Sequence, residues 1–470
     1  EFWFLAPVSI ITLFAITLHD STGQVLRRFY LFNVSLFGFG VSWIYVSIAE
    51  YGGASPLLAG TLVALIVISY ATLCLPAAYL YARYFRTDHS LLTLLAFSSM
   101  WVLQEWLRSW LLTGFPWLFV GYSFIDTPVG NYAPLLGVFG VGFVALLISL
   151  LLYISVANRK PWFTLPAIAL ILAGMALSGA KFTQLKREAS VALIQGNVDQ
   201  HIKWNRTSVL PIINLYQGLT EQHWDKELIL WPEAAITMLR RNASGYLEGL
   251  SEAARQSRTT VILGIPDRQG DKFHNTVIAI GQGQGEYAKR RLVPFGEYVP
   301  FENQLRGIIA LFDLPMSHNQ SGPAEQAPLI AGDLRVSVSI CYEVVYPELV
   351  RSSVVEPDLL VTLSNDTWFG RSIGPWQHLQ MARMRALENG RGMLRATNNG
   401  VTAIINHRGK ITASLPQFQQ GVLSGHVEIR SGVTPFHQFG SGPTLLFCLM
   451  VCVLAWMRKV KSQAVAPDLP

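Results

Sequence analysis

Apolar runs long enough to cross a bilayer fill the first third of this chain, are absent between about Lys181 and Gly440, and return once near its end. A helix needs about 20 apolar residues to span a hydrocarbon core. Runs at 2–17, 29–48, 57–82, 91–107, 132–156, 163–178 and 443–457 each come near that length. The pattern predicts a polytopic helical membrane bundle with a soluble domain inserted in it. Composition agrees, because a chain 51% hydrophobic and only 14% charged, with mean hydropathy +0.34, is too apolar for an ordinary soluble enzyme. The expected organisation is a bundle over 1–180 with about six spans, a soluble domain over 190–432, a last span over 443–457 and a tail over 458–470. The sequence opens inside an apolar run without Met, so an earlier span or a signal is expected upstream.

Cytoplasmic loops retain Lys and Arg. Arg27 and Arg28, Arg83 and Arg86, Arg159 and Lys160, and Arg458, Lys459 and Lys461 follow alternate runs, whereas 49–55 carries no basic residue. Parity therefore places the soluble domain on the outward side. The net charge of +6 marks topology, since no dense basic stripe interleaved with aromatics points to nucleic acid. Cys74, Cys448 and Cys452 lie in apolar runs, which leaves Cys341 as the only thiol of the soluble region, with no disulfide partner there. Between Arg108 and Pro134 the chain is rich in aromatics, including Trp110, Phe115, Trp117, Phe119 and Tyr122, which suits an interfacial belt or a lipid-binding groove. Glu105 and Arg108 are spaced to pair on one helix face or to snorkel.

From Ser190 the periodicity changes. Short β-type runs at 191–194, 227–230, 260–265, 276–280, 334–340, 359–363 and 401–405 alternate with helical stretches, clearest at 246–257 and 376–388. That alternation predicts an α/β domain, in which reactive residues collect at strand ends. Three stand there: Glu233 after Trp231-Pro232, Lys289 ahead of Leu292-Val293-Pro294-Phe295-Gly296-Glu297-Tyr298-Val299-Pro300, and Cys341 after the alternating run 334–340. Pro347 opens a helical segment, so Cys341 is expected near a helix N-terminus that favours a thiolate. Singly, a Glu after a turn is ordinarily solvated, a Lys ordinarily exposed and a free Cys ordinarily core. Together they supply a base, a cation and a nucleophile, as acyl transfer through a thiol requires.

In that order, Trp-Pro-Glu, the Lys before Leu-Val-Pro-Phe-Gly-Glu-Tyr-Val-Pro and Cys-Tyr-Glu resemble the nitrilase superfamily. The wider chain is similar to its membrane-embedded branch, the apolipoprotein N-acyltransferases, through Gly196-Asn197, Lys203-Trp204, Phe312-Asp313-Leu314-Pro315-Met316, Ser364-Asn365-Asp366-Thr367-Trp368-Phe369-Gly370, Gly374-Pro375-Trp376-Gln377-His378 and Thr397-Asn398-Asn399-Gly400. The resemblance implies an α-β-β-α sandwich on a bundle of eight helices, one more than the runs counted above. It also implies a bacterial inner-membrane enzyme, monomeric, with its catalytic domain in the periplasm. Cys341 would take an acyl chain from a phospholipid, phosphatidylethanolamine at its first glycerol position, as a thioester. The α-amine of a diacylglyceryl-modified apolipoprotein would then collect it, with Glu233 as base and Lys289 at the oxyanion.

The same resemblance sets Glu297, Tyr342 and Glu343 beside these three and gives Trp204 another functional position. Glu297 and Glu343 read as groups orienting Lys289 and the base, or as structural pairs. Tyr342 offers its backbone N–H to the oxyanion, and Asn275 is a polar neighbour or a strand cap. The apolar spacing over 301–316 suits core packing, or a lid or arm dipping into the headgroup region. No metal cluster or phosphate-binding glycine loop is legible, so no cofactor is expected. Two other classes remain open: a membrane-tethered nitrilase or amidase in which water resolves the thioester, and a transporter or receptor whose ectodomain binds ligand. The first gives no reason to embed the enzyme in lipid. The second does not need the thiol, and intramembrane ionisable residues are few.

Overall fold

The structure is a computed structural model that describes residues 3–86, 91–298 and 319–465. The segment 301–316, expected as core, lid or membrane arm, lies outside the described residues. The chain divides into a helical unit, Glu1–Ser42 with Gly60–Lys181 and Gln438–Pro470, and a second unit, Trp43–Ala59 with Phe182–His437.

Every predicted apolar run is helical, and among the described residues three stretches are by length and composition long and apolar enough to cross a membrane: Pro56–Phe85, Pro128–Ala157 and Gly442–Lys461. A fourth exists only if the broken pair Thr22–Gly40 and Trp43–Tyr51 counts as one span. Leu5–Thr17 has 13 residues, about 20 Å at 1.5 Å per residue, against a hydrocarbon core of about 30 Å. Leu91–Arg108 carries Gln104, Glu105 and Arg108 in its last turns. The run 29–48 is interrupted after Gly40, a position where a Cβ would lie 2.4 Å from Leu118 Cδ1.

Glu105 and Arg108 neither snorkel nor pair with each other. Both are buried and reach the aromatic loop that follows their helix: Glu105 Oε1 accepts from Val120 N at 2.9 Å and from Trp101 Nε1 at 3.1 Å, while Arg108 donates to the carbonyls of Trp117 and Phe115. The guanidinium lies over the rings of Phe37 and Phe119, at 5.1 and 5.2 Å. In a low-dielectric interior these loop groups replace the water that an exposed pair would keep.

The second unit is a two-sheet sandwich. Its strands are β1 (Gln184–Gln195), β2 (Leu228–Leu230), β3 (Thr260–Gln269), β4 (Lys272–Gly281), β5 (Gly283–Gln284), β6 (Glu286–Ala288), β7 (Leu329–Ala331), β8 (Leu334–Ile340), β9 (Leu359–Ser364), β10 (Met393–Thr397), β11 (Thr402–Ile405), β12 (Ile411–Leu415) and β13 (Gly421–Ser431). One sheet runs β13-β1-β2-β3-β4-β6 and the other β12-β11-β10-β9-β8-β7-β5. Val191, Leu193, Leu230 and Ile262 from the first meet Val336, Val338, Val361 and Leu394 from the second in one apolar core. The opposite faces of the first sheet's strands, with Ile194, Ile229, Trp231 and Leu263, pack on Ile212, Ile213 and Tyr216 of helix Val209–Thr220 and on Leu247 and Leu250 of helix Ser244–Gln256. Helices Pro347–Ser352 and Gly374–Asn389 lie against the second sheet. The layers are therefore α-β-β-α. The segment Trp43–Ala59 joins this unit, with Trp43 edge-on to Phe369 and Ser47 Oγ donating to the Trp368 carbonyl at 2.7 Å.

Candidate active site

The residues that follow β2 in one sheet and the parallel pair β8 and β9 in the other build the site. Three buried apolar residues make β2, after which Trp231 and Pro232 turn the chain and present Glu233. Ala234 takes a left-handed φ of 47° to complete that turn. It can do so because Gly264 of β3 lies behind it, where a Cβ would stand 2.5 Å from Ala234 N. Lys289 follows β6, and its N–H donates to the Asn275 carbonyl of β4 at 2.9 Å. Cys341 follows β8 with φ 52°, a left-handed conformation that a residue with a Cβ holds only when its surroundings impose it.

Glu233, Lys289, Glu297 and Asn275 form one buried cluster. The Lys289 ammonium lies 2.8 Å from Glu297 Oε2 and 3.3 Å from Glu233 Oε1. Asn275 Nδ2 donates to Glu233 Oε1 at 2.7 Å and to Glu297 Oε1 at 3.1 Å. The remaining acceptor positions are also used, Glu233 Oε2 by Asn365 N at 2.8 Å and Glu297 Oε2 by Val293 N at 2.9 Å. Asn275 thus sits inside β4 and bridges two carboxylates, rather than capping a strand.

Cys341 keeps partial exposure. Ser364 ends β9, the strand paired with β8, and the adjacent residue, Asn365, is the one that binds Glu233. Behind the thiol, His378 Nε2 contacts the Cys341 carbonyl at 3.1 Å, and His378 Nδ1 lies 3.0 Å from Asp366 Oδ1 and 3.1 Å from Arg395 Nη2. Arg395 Nη2 donates to Asp366 Oδ2 at 2.6 Å, and Ser364 Oγ to Asp366 Oδ1 at 2.6 Å. One buried network therefore ties the cysteine's backbone to the end of β9.

Burial, and then the Glu233 carboxylate, push the Cys341 thiol well above its ordinary value, with Lys289 opposing. These surroundings favour the thiol form, which needs a base, over the thiolate expected at a helix N-terminus. The first turn after β8 is a short 3-10 segment, Cys341–Val345, and the helix begins only at Pro347. Burial works against the Lys289 ammonium too, but Glu297 and Glu233 outweigh it and hold its proton above the ordinary lysine range. Burial likewise opposes the Asp366 charge, yet Arg395 above all keeps that carboxyl well below the usual range.

Glu343 does not reach Lys289 or Glu233 by hydrogen bond. Its Oε1 accepts from Arg290 N at 2.6 Å, Tyr287 Oη at 2.9 Å and Arg291 N at 3.1 Å, and its Oε2 from Ile340 N at 2.8 Å. It clamps the residues on both sides of Lys289 to the turn that carries Cys341. Tyr342 packs its ring edge-on to Tyr346 at 5.3 Å. Trp204 is half-buried, its indole Nε1 enclosed with no partner among the described residues. Sequence reasoning gave no role to Lys203, Ser364, Asn365, Asp366, His378 or Arg395. Five of the six stand in or beside the short motifs quoted above, the signal that would have singled them out. Among the described residues, no group of three His, Cys, Asp or Glu side chains is placed to hold a metal ion.

Two family models match the chain: carbon-nitrogen hydrolase over residues 190–432 and the apolipoprotein N-acyltransferase N-terminal domain over residues 1–151. An apolipoprotein N-acyltransferase from Pseudomonas syringae pv. tomato is 43% identical over 464 residues, covering 96% of this chain and 92% of the relative. One from Vibrio vulnificus is 39% identical over 488 residues, covering 99% and 94%. Among solved structures, the chain is similar to the C. elegans NitFhit protein, with 18% identity, TM-score 0.41 and coverage of 59% and 65%. It is also similar to an amidase from Nesterenkonia sp., with 18% identity, TM-score 0.39 and coverage of 55% and 97%. Near-complete coverage by relatives at about two-fifths identity, with both family models in register on one chain, establishes that this protein belongs to the apolipoprotein N-acyltransferase family.

Proposed function

We propose that Cys341 carries a fatty acyl chain as a thioester from a phospholipid, phosphatidylethanolamine at its first position, to the N-terminal α-amine of a diacylglyceryl-cysteine apolipoprotein. The reading rests on family membership and on one observation above all: Glu233 and Lys289 are buried partners 3.3 Å apart, and Glu233 is held by Asn365 at the end of β9, the strand paired with the one that Cys341 follows. Glu233 takes the S–H proton as sulfur attacks the ester carbonyl, and the Lys289 ammonium faces the oxyanion that forms. Collapse breaks the C–O bond, and the departing alkoxide receives the proton from Glu233 and leaves as lysophospholipid. In the second half the α-amine attacks the thioester carbonyl and gives its proton to Glu233, and the expelled sulfur takes that proton back. An α-amine with a pKa of about 8 is partly neutral near neutral pH, so a carboxylate suffices as base.

The same reading makes Glu297 and Asn275 holders of Lys289 and Glu233, and Glu343 a support of the Cys341 turn. Tyr342 N–H serves the oxyanion, and Trp204 is a further contact of the site. The protein works as a monomer in the bacterial inner membrane with the sandwich in the periplasm, in keeping with the basic loops at Arg27, Arg83, Arg159 and Arg458.

Incubation with a phospholipid labelled in its acyl chain should place label on Cys341 by mass spectrometry, and a lipopeptide amine should remove it as an amide. No label on the wild type, or label surviving in Cys341→Ala, overturns the reading; release as free acid without amide identifies a hydrolase instead.

A further inference from the structure

Lys203 closes the short helix Gln200–Lys203 and is 1% exposed. Its Nζ donates to the backbone carbonyl of Glu233 at 3.2 Å, and among the described residues no carboxylate lies within ion-pair distance of it. The helix is held in place from its other end, where Gln200 Oε1 accepts from Asn365 Nδ2 at 2.9 Å, and Asn365 N is the donor to Glu233. A buried ammonium with one neutral acceptor is costly to fold, so its retention beside Glu233 calls for a charge that it offsets.

The pocket supplies that charge. Lys289 is shared by two carboxylates, Glu233 and Glu297, which leaves one negative charge unbalanced by Lys289 alone. The groups facing Lys203 are Glu233 and Cys341; beyond them stand Lys289, Glu297 and Asp366, and on its own element Asp199 and the exposed His201. We propose that Lys203 is the second cation of the site, a positioning residue that keeps the pocket neutral while negative charge passes from Glu233 to the Cys341 sulfur and on to the ester oxyanion. This rests on the thioester reading above. Proton transfer from Cys341 to Glu233 moves one negative charge without changing the sum, so with Lys203 protonated the pocket stays near zero throughout, and without it the thiolate forms in a pocket already negative.

Burial lowers Lys203 to about 8, with Glu233 and Cys341 opposing, so its ammonium is lost just above neutrality. The full-length protein in detergent is reacted with iodoacetamide, and alkylation of the Cys341 peptide is timed by mass spectrometry from pH 6 to pH 10. Lys203→Met should slow alkylation at pH 7 by about tenfold or more, and Lys203→Arg should restore it to within about threefold. In the wild type the rate should fall below a simple thiol titration above about pH 8, and Lys203→Arg, which stays charged, should remove that shortfall. Equal rates in Lys203→Met and wild type, or an identical shortfall in Lys203→Arg, overturn the proposal. Should Lys203→Met fail to fold, the comparison of wild type with Lys203→Arg decides alone. Because alkylation needs no lipid, failure of phospholipid labelling would strike the thioester reading and leave this test standing.

Discussion

His378 Nε2 and the carbonyl oxygen of Cys341 stand 3.1 Å apart, and this contact holds the cysteine in its left-handed conformation. Burial and the neighbouring Arg395 lower the His378 imidazole below its ordinary value. A neutral ring protonated on Nε2 donates to Cys341 and can accept from Arg395 on Nδ1. His378→Gln keeps a donor for the carbonyl, whereas His378→Leu leaves that oxygen without its donor, Arg395 keeping only Asp366. We expect Leu to slow labelling of Cys341 about tenfold or more and Gln to slow it less, for a lost buried hydrogen bond of about 1–3 kcal/mol.

Asn275 gives its two amide protons to two different carboxylates. Asn275→Asp keeps the shape but sets a third carboxylate against Glu233 and Glu297, so it should lower the acylation rate more than Asn275→Ala does. Single-turnover rates of acyl-enzyme formation for the two variants check the order, and Ala slower than Asp would refute it.

Much of this architecture is legible in the chain. The run 334–340 coincides with β8 and ends on Cys341, and Glu233 and Lys289 stand at strand ends as expected. What escaped has physical reasons. The first half of β1, with Lys186, Arg187 and Glu188, is largely solvent-facing, and much of β13 is only partly buried, so their pairing over Gln184–Gln195 leaves little apolar alternation to read. Burial of Lys203 and Arg395 contradicts the ordinary behaviour of their residue types, and only the three-dimensional partners explain it. Glu105 and Arg108 likewise find their partners in a loop that sequence periodicity cannot position.

Gly264 lets the Glu233 turn rest on β3, since a Cβ there would lie 2.5 Å from Ala234 N and 2.7 Å from the Pro232 carbonyl. The obstructing atoms are backbone, which cannot rotate away. Gly264→Ala should cost about 1–3 kcal/mol of stability and, by displacing Glu233, reduce turnover beyond what the lost stability explains. Thermal melting together with the acylation rate of the folded fraction checks both parts.

His437 is buried, with Nδ1 2.9 Å from Asn389 Oδ1, and burial together with Arg391 and Arg351 pushes its pKa down to about 4. The unfolded chain takes up a proton there near pH 6.5 that the native state refuses. Stability should therefore decline as pH falls from about 6.5 toward 4, with His378 adding to the slope; Asp366, held low, contributes loss only in stronger acid. His437→Asn should flatten the decline in urea midpoints measured between pH 7 and pH 4.5, and an unchanged slope would refute the assignment.

Glu343 supplies two oxygens to four donors: Oε1 serves Tyr287 Oη, Arg290 N and Arg291 N, and Oε2 serves Ile340 N. Burial raises its pKa, while the backbone donors oppose that rise. A glutamine at this position has one acceptor oxygen and one amide group. Turned toward Tyr287 and the arginine N–H groups, its oxygen keeps three bonds, but its amide then confronts the Ile340 N–H, donor against donor. The reverse orientation loses three bonds to keep one. Glu343→Gln should therefore cost about 1–3 kcal/mol, and Glu343→Ala more, because truncation strands all four donors. The loss is transmitted to Lys289, which lies between Tyr287 and Arg290 in the chain, so the acylation rate should fall in the same order as the melting temperature. Glu343→Gln that melts like the wild type, or that loses activity with its melting unchanged, would show that this carboxylate acts on the reacting groups directly rather than by clamping the two segments that carry them.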